Sequence, residues 1–460
     1  MRMYGTTTAV VMMIIASVRA WTPSSWRSFR PYQLPAYPQK SALENTETIL
    51  RHKAPIVFAG EIERLKHMLA VASTGKAFVL MGGDCAETFK DFSADQVRDD
   101  FRLLMELSLL LSYTSGRPIV TVGRLAGQFA KPRSDEWEVR GNTTLPSYRG
   151  DIINGHGFSE GERAPDPERM ITAYHQSVQT LNLVRAFIQG GWMEVEKIRR
   201  ENLAHRDILN QLDRSIQFLH SLGLAGKARL QHFYVGHECL LLPYEEAMTR
   251  TDSMSGKMFD CSAHFLWLGE RTRRMDGAQV EFMRGIQNPI GIKVSETCSP
   301  EELVRLIRHL NPKNEPGRIT LITRMGRNIR RHLPGLIRAI KREHLIVLWV
   351  CDPMHGNTYP ILGIKTRSLT DILWELQEFF SIHEENESYP GGIHLEMTSR
   401  PVTECIDSHA IGKKNLRENY MSLCDPRLNV HQSMDVGFAV GHRLLLQEDG
   451  RSSVDVDSKN

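Results

Sequence analysis

Eight short runs of apolar residues recur along the chain, and each has the length of a β-strand. The runs show no regular alternation of polar and apolar residues, which is typical of parallel strands buried on both faces. Each run is rich in valine, isoleucine, leucine or aromatic residues. Strands are predicted at Ala77–Met81, Pro118–Val122, Leu230–Val235, Ala263–Leu268, Ile290–Val294, Arg318–Thr323, Leu345–Val350 and Gly392–Glu396.

Apolar residues at helical spacing lie between most of these runs. The clearest patterns predict helices at Ala94–Tyr113, Pro300–Leu310 and Leu333–Arg342. Ser93 stands three residues before Gln96, which is the spacing of a capping box. Eight strands alternating with helices predict a (β/α)8 TIM barrel, here residues 76–447. A doubly wound sheet is the alternative, but no GxGxxG motif follows an early strand.

About 107 residues separate the second and third apolar runs, which is far more than one crossover needs. Two helical patterns fill this stretch, at Pro167–Gln189 and Glu201–Leu222. Both place apolar residues along one stripe. The sequence therefore predicts a helical hairpin, at about residues 160–225, inserted after the second strand of the barrel.

Both ends of the chain differ from the rest. Residues 1–20 join Arg2, the apolar run Ala9–Val18 and small residues near Ala20, which is the pattern of a secretory or plastid-targeting leader. Without such a leader, a cytoplasmic protein is expected. Residues 21–75 predict a proline-rich arm followed by a helix, and residues 448–460 predict a frayed polar tail. No later run of 18 apolar residues occurs, so we expect no transmembrane segment.

Composition narrows the functional classes. The chain has 460 residues, with 57 basic and 54 acidic side chains and a formal net charge of +3. Such a weak field argues against a nucleic-acid partner. Hydrophobic residues make up 41%, which argues against disorder. The seven cysteines are scattered without a CxxC pair, so neither a zinc ribbon nor a disulfide scaffold is indicated.

Ionisable residues close or follow every predicted strand, and active sites of TIM barrels lie at the carboxyl ends of the strands. One set offers a thiol, an imidazole and carboxylates, which suits a divalent transition metal. Its members are Cys85, His355, Glu396 and Asp425. A second set is cationic and predicts substrates with several negative charges, such as two phosphorylated compounds. Its members are Arg124, Lys131, Arg133, Arg271, Lys293 and Arg324.

Long motifs in a fixed order carry a family resemblance. They include Gly82-Gly-Asp-Cys-Ala-Glu87, Val122-Gly-Arg-Leu-Ala-Gly-Gln-Phe-Ala-Lys-Pro-Arg-Ser134, Gly269-Glu-Arg-Thr-Arg273, Asn288-Pro-Ile-Gly-Ile-Lys-Val-Ser295 and Trp349-Val-Cys-Asp-Pro-Met-His-Gly-Asn357. The chain resembles the class II, plant-type 3-deoxy-D-arabino-heptulosonate 7-phosphate (DAHP) synthases, over roughly residues 21–445. The resemblance implies a TIM-barrel enzyme that condenses phosphoenolpyruvate with erythrose 4-phosphate in the shikimate pathway.

The resemblance also implies roles for individual residues. The metal ligands would be Cys85, His355, Glu396 and Asp425, with Mn the most expected ion, followed by Co, Fe, Zn or Cd. Phosphoenolpyruvate would contact Arg124, Glu270, Arg271, Lys293 and Arg324. Erythrose 4-phosphate would face Lys131, Arg133 and Ser134. Proton transfer would fall to Lys293, Glu270, His237 or Glu238, although Gly236 before His237-Glu238 departs from the family's usual Thr-Ser.

The sequence is also compatible with three different functions. A metal-dependent barrel hydrolase is disfavoured, because no His-x-His occurs in the chain. A related synthase that uses another phosphosugar aldehyde is a second possibility, and a non-catalytic regulatory barrel is a third. The resemblance further implies feedback by an aromatic amino acid. The broad apolar stripes of the inserted hairpin favour a second subunit that covers them, so a homo-oligomer is expected.

Overall fold

Eight parallel strands close into a barrel, and each strand pairs with its neighbours in chain order. The computed structural model describes residues 21–189, 233–407 and 416–457, with four isolated positions at 210, 214, 217 and 221. The predicted leader and almost all of the helix predicted at Glu201–Leu222 lie outside these residues. The barrel strands are β1 (Phe78–Gly83), β2 (Ile119–Arg124), β3 (Phe233–Glu238), β4 (Phe265–Leu268), β5 (Ile290–Val294), β6 (Ile319–Thr323), β7 (Leu348–Cys351) and β8 (Gly392–Glu396).

The prediction of the barrel is confirmed, but several strand ends were misplaced. β5 and β8 have the predicted bounds, whereas β1, β2, β3 and β7 continue past the end of the apolar run. In β1, β2 and β3 the extension includes glycine, and at Gly236 the strands approach so closely that a Cβ would lie 2.6 Å from the carbonyl oxygen of Phe265. As a result, Arg124, His237 and Glu238 lie on strands and not in the loops that follow them.

Helices surround the barrel and cover the outer faces of its strands. The helix predicted at Pro300–Leu310 has those bounds. The helices predicted at Ala94–Tyr113, Pro167–Gln189 and Leu333–Arg342 each differ from the observed ones by a few residues at one end. The helices are α1 (Lys40–Arg51), α2 (Ala59–Ser73), α3 (Ala94–Ser115), α4 (Glu160–Arg163), α5 (Arg169–Gln189), α6 (Leu242–Met248), α7 (Ala278–Gly285), α8 (Pro300–Leu310), α9 (Ile329–Arg342), α10 (Leu369–Glu385) and α11 (Val430–Asp457).

The predicted capping box before α3 forms only in part. Ser93 accepts a hydrogen bond from the backbone N–H of Gln96 at 3.1 Å, as expected of an N-cap. The Gln96 side chain instead donates to Asp100 at 2.8 Å and to Ser399 at 3.0 Å. It therefore links α3 to the loop after β8, and the reciprocal bond is not made.

The N-terminal arm packs against the barrel helices. Trp26 is buried and donates from Nε1 to Glu246 at 2.9 Å, while Trp21 donates to the backbone of Glu281 at 3.0 Å. The arm also contains α1, which the sequence did not predict, because the apolar positions of that helix are few. Arg27 joins the arm to Glu47 of α1 at 2.8 Å.

The chain ends in the long helix α11. Residues 448–457, part of the stretch expected to be a polar tail, are helical and continue α11. Short two-stranded ribbons project from the barrel loops at Trp137–Pro146, Thr249–Asp260 and Tyr359–Thr366. Within the residues that the structure describes, no helix is both long enough and apolar enough to cross a membrane.

Candidate active site at the carboxyl end of the barrel

A cavity of about 330 Å³ opens where the barrel strands end. Most of the residues singled out in the sequence line it, although they come from seven strands and the loops that follow them. The ones that line it are Arg124, Lys131, Arg133, Ser134, Glu238, Glu270, Arg271, Lys293, Arg324, His355 and Asp425. Cys85, His237 and Glu396 do not belong to this lining.

Three potential metal ligands converge at one side of the cavity. His355, Glu396 and Asp425 each place a ligand atom within 4.8 Å of the other two. Glu396 ends β8 and is fully buried, while His355 and Asp425 lie in loops. The Nε2 atom of His355 is 3.2 Å from Oε1 of Glu396. One imidazole nitrogen and two carboxylates form a donor set that fits a divalent ion.

Asp352 fixes the orientation of the His355 ring. Its Oδ2 atom is 2.7 Å from Nδ1 of His355, and its Oδ1 atom accepts the backbone N–H of the same residue at 3.2 Å. Carboxylates behind metal-ligating histidines commonly set the tautomer in this way. The Nε2 atom is thereby directed toward Glu396 and is left free to bind a cation.

Cys85 lies outside the group of three ligands. Its thiol is 3.2 Å from the hydroxyl of Ser422, and the residue is buried in a small cluster with Ala86, Tyr148 and Cys424. A hydrogen bond with Cys424 and burial raise the pKa of the Cys85 thiol. The described geometry therefore brings three of the four predicted ligands together and leaves the fourth outside the group.

Cations surround the buried carboxylates. Burial alone would raise the pKa of Glu396, but His355, Lys131 and Arg367 outweigh it and hold that pKa well below the usual value. Lys131 bridges the two acids, with its Nζ 2.9 Å from Glu396 and 2.8 Å from Asp425. Both carboxylates are thus kept ionised, which is the form that binds a metal.

A second chain of contacts runs along the floor of the cavity. Arg124 donates from Nη1 to Nε2 of His394 at 2.8 Å, and Nδ1 of His394 lies 3.0 Å from Nζ of Lys293. Because arginine only donates, His394 must accept at Nε2 and carry its proton on Nδ1. Lys293 lies next to this nitrogen and also contacts Asp352. Burial lowers the pKa of Lys293 to about 8 despite the charge of Asp352.

His237 and Glu238 have different environments although they are adjacent on β3. His237 faces away from the cavity, with Nε2 2.9 Å from Glu245, and burial lowers its pKa to about 4. Glu238 lines the cavity, and burial raises the pKa of its carboxyl group. The alternation of side chains along a strand explains the difference.

An acidic and a basic residue, Glu270 and Arg271, follow β4 at the mouth of the cavity. Glu270 is bound to Arg273 at 2.7 Å and accepts the backbone N–H of Ser295 at 3.0 Å. Its carboxylate is therefore committed to structural contacts. Arg271 is exposed and donates to the hydroxyl of Ser134 at 2.6 Å, which links two predicted substrate-binding segments.

Sequence reasoning missed several residues of this site. Trp267 lines the cavity with its ring centroid 5.2 Å from the Arg124 guanidinium. Arg367 is fully buried and pairs with Glu396 at 2.7 Å. His394 stands two residues before Glu396 on β8, and this spacing on one strand was a usable signal that both side chains point the same way. The sequence around Arg367 contains no feature that indicates its place in the site.

These features define a class of protein: a TIM-barrel enzyme for anionic substrates with a candidate divalent-metal centre. The model of the class-II DAHP synthetase family matches residues 21–441. The chain therefore belongs to that family. Its members are generally metal-dependent, and the predicted family, fold and enzyme class, a DAHP-forming transferase, are confirmed.

Two curated relatives support the assignment. A phospho-2-dehydro-3-deoxyheptonate aldolase of Streptomyces coelicolor is 41% identical over 93% of this chain and 98% of its own. A protein of the same name from Neurospora crassa is 41% identical over 91% of this chain and 93% of its own. A solved structure of such an aldolase from Francisella tularensis aligns with a TM-score of 0.47 and 14% identity, over 87% of this chain and 96% of that one.

Proposed function

We propose that the protein condenses phosphoenolpyruvate with erythrose 4-phosphate and releases DAHP and inorganic phosphate. The observation that carries this proposal is one cavity that joins a wall of cations to a group of three metal ligands. A phosphate, a carboxylate and a second phosphate need several cations. An aldehyde that must be polarised needs an electrophile close by.

Phosphoenolpyruvate binds at the inner cations. Arg124, Lys293 and Arg324 converge from β2, β5 and the end of β6, and Arg271 stands at the mouth. Arginine forks match the geometry of phosphate and carboxylate groups. Burial strengthens these contacts because water competes poorly in a cavity of this size.

Erythrose 4-phosphate binds at the outer segment formed by Lys131, Arg133 and Ser134. This segment lines the same cavity as Arg324 and includes Lys131, which already contacts two of the metal ligands. The aldehyde end is therefore expected near Lys131, with the phosphate of the same substrate at Arg133 and Ser134.

His355, Glu396 and Asp425 would hold the divalent ion. Cys85, in the loop after β1, would be the fourth ligand. Mn is the first choice, and Co, Fe, Zn or Cd would also suit a site with a thiol. The bound ion would polarise the aldehyde carbonyl as a Lewis acid.

Bond formation joins carbon 3 of phosphoenolpyruvate to the aldehyde carbon. Water then adds at carbon 2, and phosphate leaves from the resulting hemiketal. Lys293 is the candidate proton carrier, because its amine faces the cavity and the pKa lies near the working pH. Glu238 can hold a proton beside it, whereas Glu270 is occupied by Arg273. His237 supports β3 through Glu245.

Phosphate release tests this proposal directly. Release from phosphoenolpyruvate should require erythrose 4-phosphate, stop on chelation with EDTA and return with Mn. Asp425→Ala and Cys85→Ala should each weaken Mn binding, while Asp252→Ala, in a turn that is not part of the cavity lining, should not. Phosphate release that ignores the aldehyde, or full activity of chelated enzyme, would contradict the proposal.

Targeting and regulation are also proposed on the basis of the sequence. Residues 1–20 would direct the protein toward a plastid, and a fluorescent protein fused to that segment should then leave the cytoplasm. An aromatic amino acid would act as the feedback effector, since the product leads to these amino acids. A homo-oligomer is expected, and sedimentation of the purified protein would measure its mass.

A further inference from the structure

Glu375 has a fully buried carboxyl group that lies outside the cavity lining and yet accepts hydrogen bonds from two of the loops at the cavity. It is on α10, behind the ends of β6 and β7. Its Oε1 atom accepts the backbone N–H groups of Met325 at 2.9 Å and of Gly326 at 2.8 Å. Its Oε2 atom accepts the side-chain N–H of Asn357 at 2.8 Å.

The partners of Glu375 adjoin two functional side chains. Met325 directly follows Arg324, and Asn357 closes the short turn that begins at His355. The carboxylate therefore holds the backbone that carries an anion-binding arginine and the backbone that carries a metal-ligating histidine. Asn357 passes the restraint on, because its amide also donates to the carbonyl of Pro353 at 2.8 Å.

The two loops approach each other so closely that their relative position is narrowly defined. A Cβ at Gly326 would lie 2.5 Å from the carbonyl oxygen of Gly356. Arg324 also reaches the carbonyl oxygen of His355, with Nη2 at 3.5 Å. A displacement of one loop would therefore move both Arg324 and His355.

We propose that Glu375 is a positioning residue that keeps Arg324 and His355 in register, so that phosphoenolpyruvate binding and metal binding depend on the same buried carboxylate. The proposal rests on the roles given above to Arg324 and His355. Its physical basis is that three N–H donors in a dry interior need an acceptor. Without Glu375, these donors would turn toward other partners and the loops would separate.

The aldehyde segment has an anchor of its own. Glu87 accepts the backbone N–H groups of Ala126, Gly127 and Gln128 at 2.8–3.0 Å, ahead of Lys131. None of these bonds involves the loops that Glu375 holds. Loss of Glu375 should accordingly affect phosphoenolpyruvate and metal more than erythrose 4-phosphate.

The experiment compares Glu375→Ala, Glu375→Gln and Leu376→Ala in the full-length enzyme. Calorimetry would measure the Kd of Mn and of phosphoenolpyruvate, and steady-state kinetics would measure the KM of each substrate. We expect Glu375→Ala to weaken both ligands by about 10–100-fold, the range seen when a group behind a metal ligand is removed. Glu375→Gln keeps one acceptor and should fall between this variant and the wild type. When Mn is saturating, the KM for erythrose 4-phosphate should change little.

Leu376→Ala provides the matched control, because Leu376 is buried on the same helix and contacts neither loop through a hydrogen bond. It should lower Tm and leave both Kd values unchanged. The proposal is overturned if a folded Glu375→Ala lowers Tm in the same way but keeps both affinities. If Glu375→Ala does not fold, Glu375→Gln decides by the same comparison. Unchanged phosphoenolpyruvate binding in Arg324→Ala would instead overturn the proposed function of the site.

Discussion

The surroundings of each charged side chain at the cavity decide whether it stays ionised or can titrate. Lys131 and Glu396 are both buried, but each neutralises the other, so both remain ionised. Lys293 has a carboxylate on one side and His394 on the other, and burial lowers its pKa to about 8. The same physical cause, removal from water, therefore produces permanent charges at one wall and a titratable amine at the other.

Two arginines that follow β6 also differ in their surroundings. Arg324 lines the cavity, whereas Arg330 is half-exposed on α9 and pairs with Glu378 and Glu385. Arg324→Ala should weaken phosphoenolpyruvate binding by about 2–3 kcal/mol, because a charge-assisted contact is lost. Arg330→Ala should change it by less than about 0.5 kcal/mol, as is usual for a surface position. Calorimetric titration of both variants measures the difference, and equal losses would exclude Arg324 from the site.

Glu245 predicts a pH dependence of stability that is independent of the cavity. It lies between His237 and Ser262, with Asp260 nearby, and burial raises its pKa to about 7. A glutamate in the unfolded chain has a pKa of about 4.3, so Glu245 binds its proton more tightly in the folded state. The resulting stability is complete below about pH 4.3 and is lost as the pH rises to about 7.

Glu245→Gln should remove this contribution, since glutamine resembles the protonated acid. Relative to the variant, the wild type should lose up to about 3 kcal/mol of unfolding free energy between about pH 5 and 8. Urea unfolding of both proteins at a series of pH values measures it. Parallel curves for the two proteins would show that Glu245 does not titrate in this range.

At the level of elements, buried glutamates organise the loops at the carboxyl end of the barrel. Glu87 holds the loop after β2, Glu375 holds the loops after β6 and β7, and Glu404 accepts backbone N–H groups at Ser422 and Arg427, on either side of Asp425. Each carboxylate stands behind residues that the sequence marked as functional. The backbone N–H groups of these irregular loops thereby have hydrogen-bond acceptors, although the loops form no β-sheet there.

Buried side chains of this kind mark the limit of what the sequence could predict about the site. Apolar runs indicate the strands and thus which residues meet at their carboxyl ends. Glu375 and Arg367 follow no such rule, because their roles depend on contacts with segments up to 59 positions away. His237 shows the converse: its neighbour on β3 reaches the cavity, and the pleat directs His237 elsewhere.

Gly150 tests the support of the aldehyde segment. Its φ is +102°, and a Cβ there would lie 2.0 Å from the carbonyl oxygen of Phe129, two residues before Lys131. Lys131 itself donates from its backbone to Arg149 at 2.9 Å. Gly150→Ala should cost about 1–3 kcal/mol of stability through overpacking and strain. It should also raise the KM for erythrose 4-phosphate more than that for phosphoenolpyruvate.

The control for this prediction is Gly141→Ala. Gly141 also has a positive φ, +58°, but its Cβ would meet open space. Its cost should be limited to backbone strain of about 1–2 kcal/mol, with both KM values unchanged. Equal kinetic effects of the two variants would show that Gly150 does not support the substrate segment.

The whole molecule is a barrel with additions, and the additions differ in how they relate to the site. The arm and α11 pack on the outer helices, while the loops after β2 and β8 reach the cavity directly. Helix α5 belongs to the first group. It is the described half of the predicted insertion and packs on α1 and α3, away from the cavity lining.

Regulation by an aromatic amino acid would require coupling between α5 and the cavity, with a free energy of about 1–3 kcal/mol. Helix α5 offers an apolar position for such a ligand at Val178, which is 36% exposed, whereas Leu181 is only 3% exposed and belongs to the core. Activity should fall with Trp, Phe or Tyr, singly or combined, and Val178→Asp should weaken that inhibition. Gln179→Asp adds the same charge at the next exposed position and should not. Inhibition that is equally strong in both variants would place the effector site away from α5.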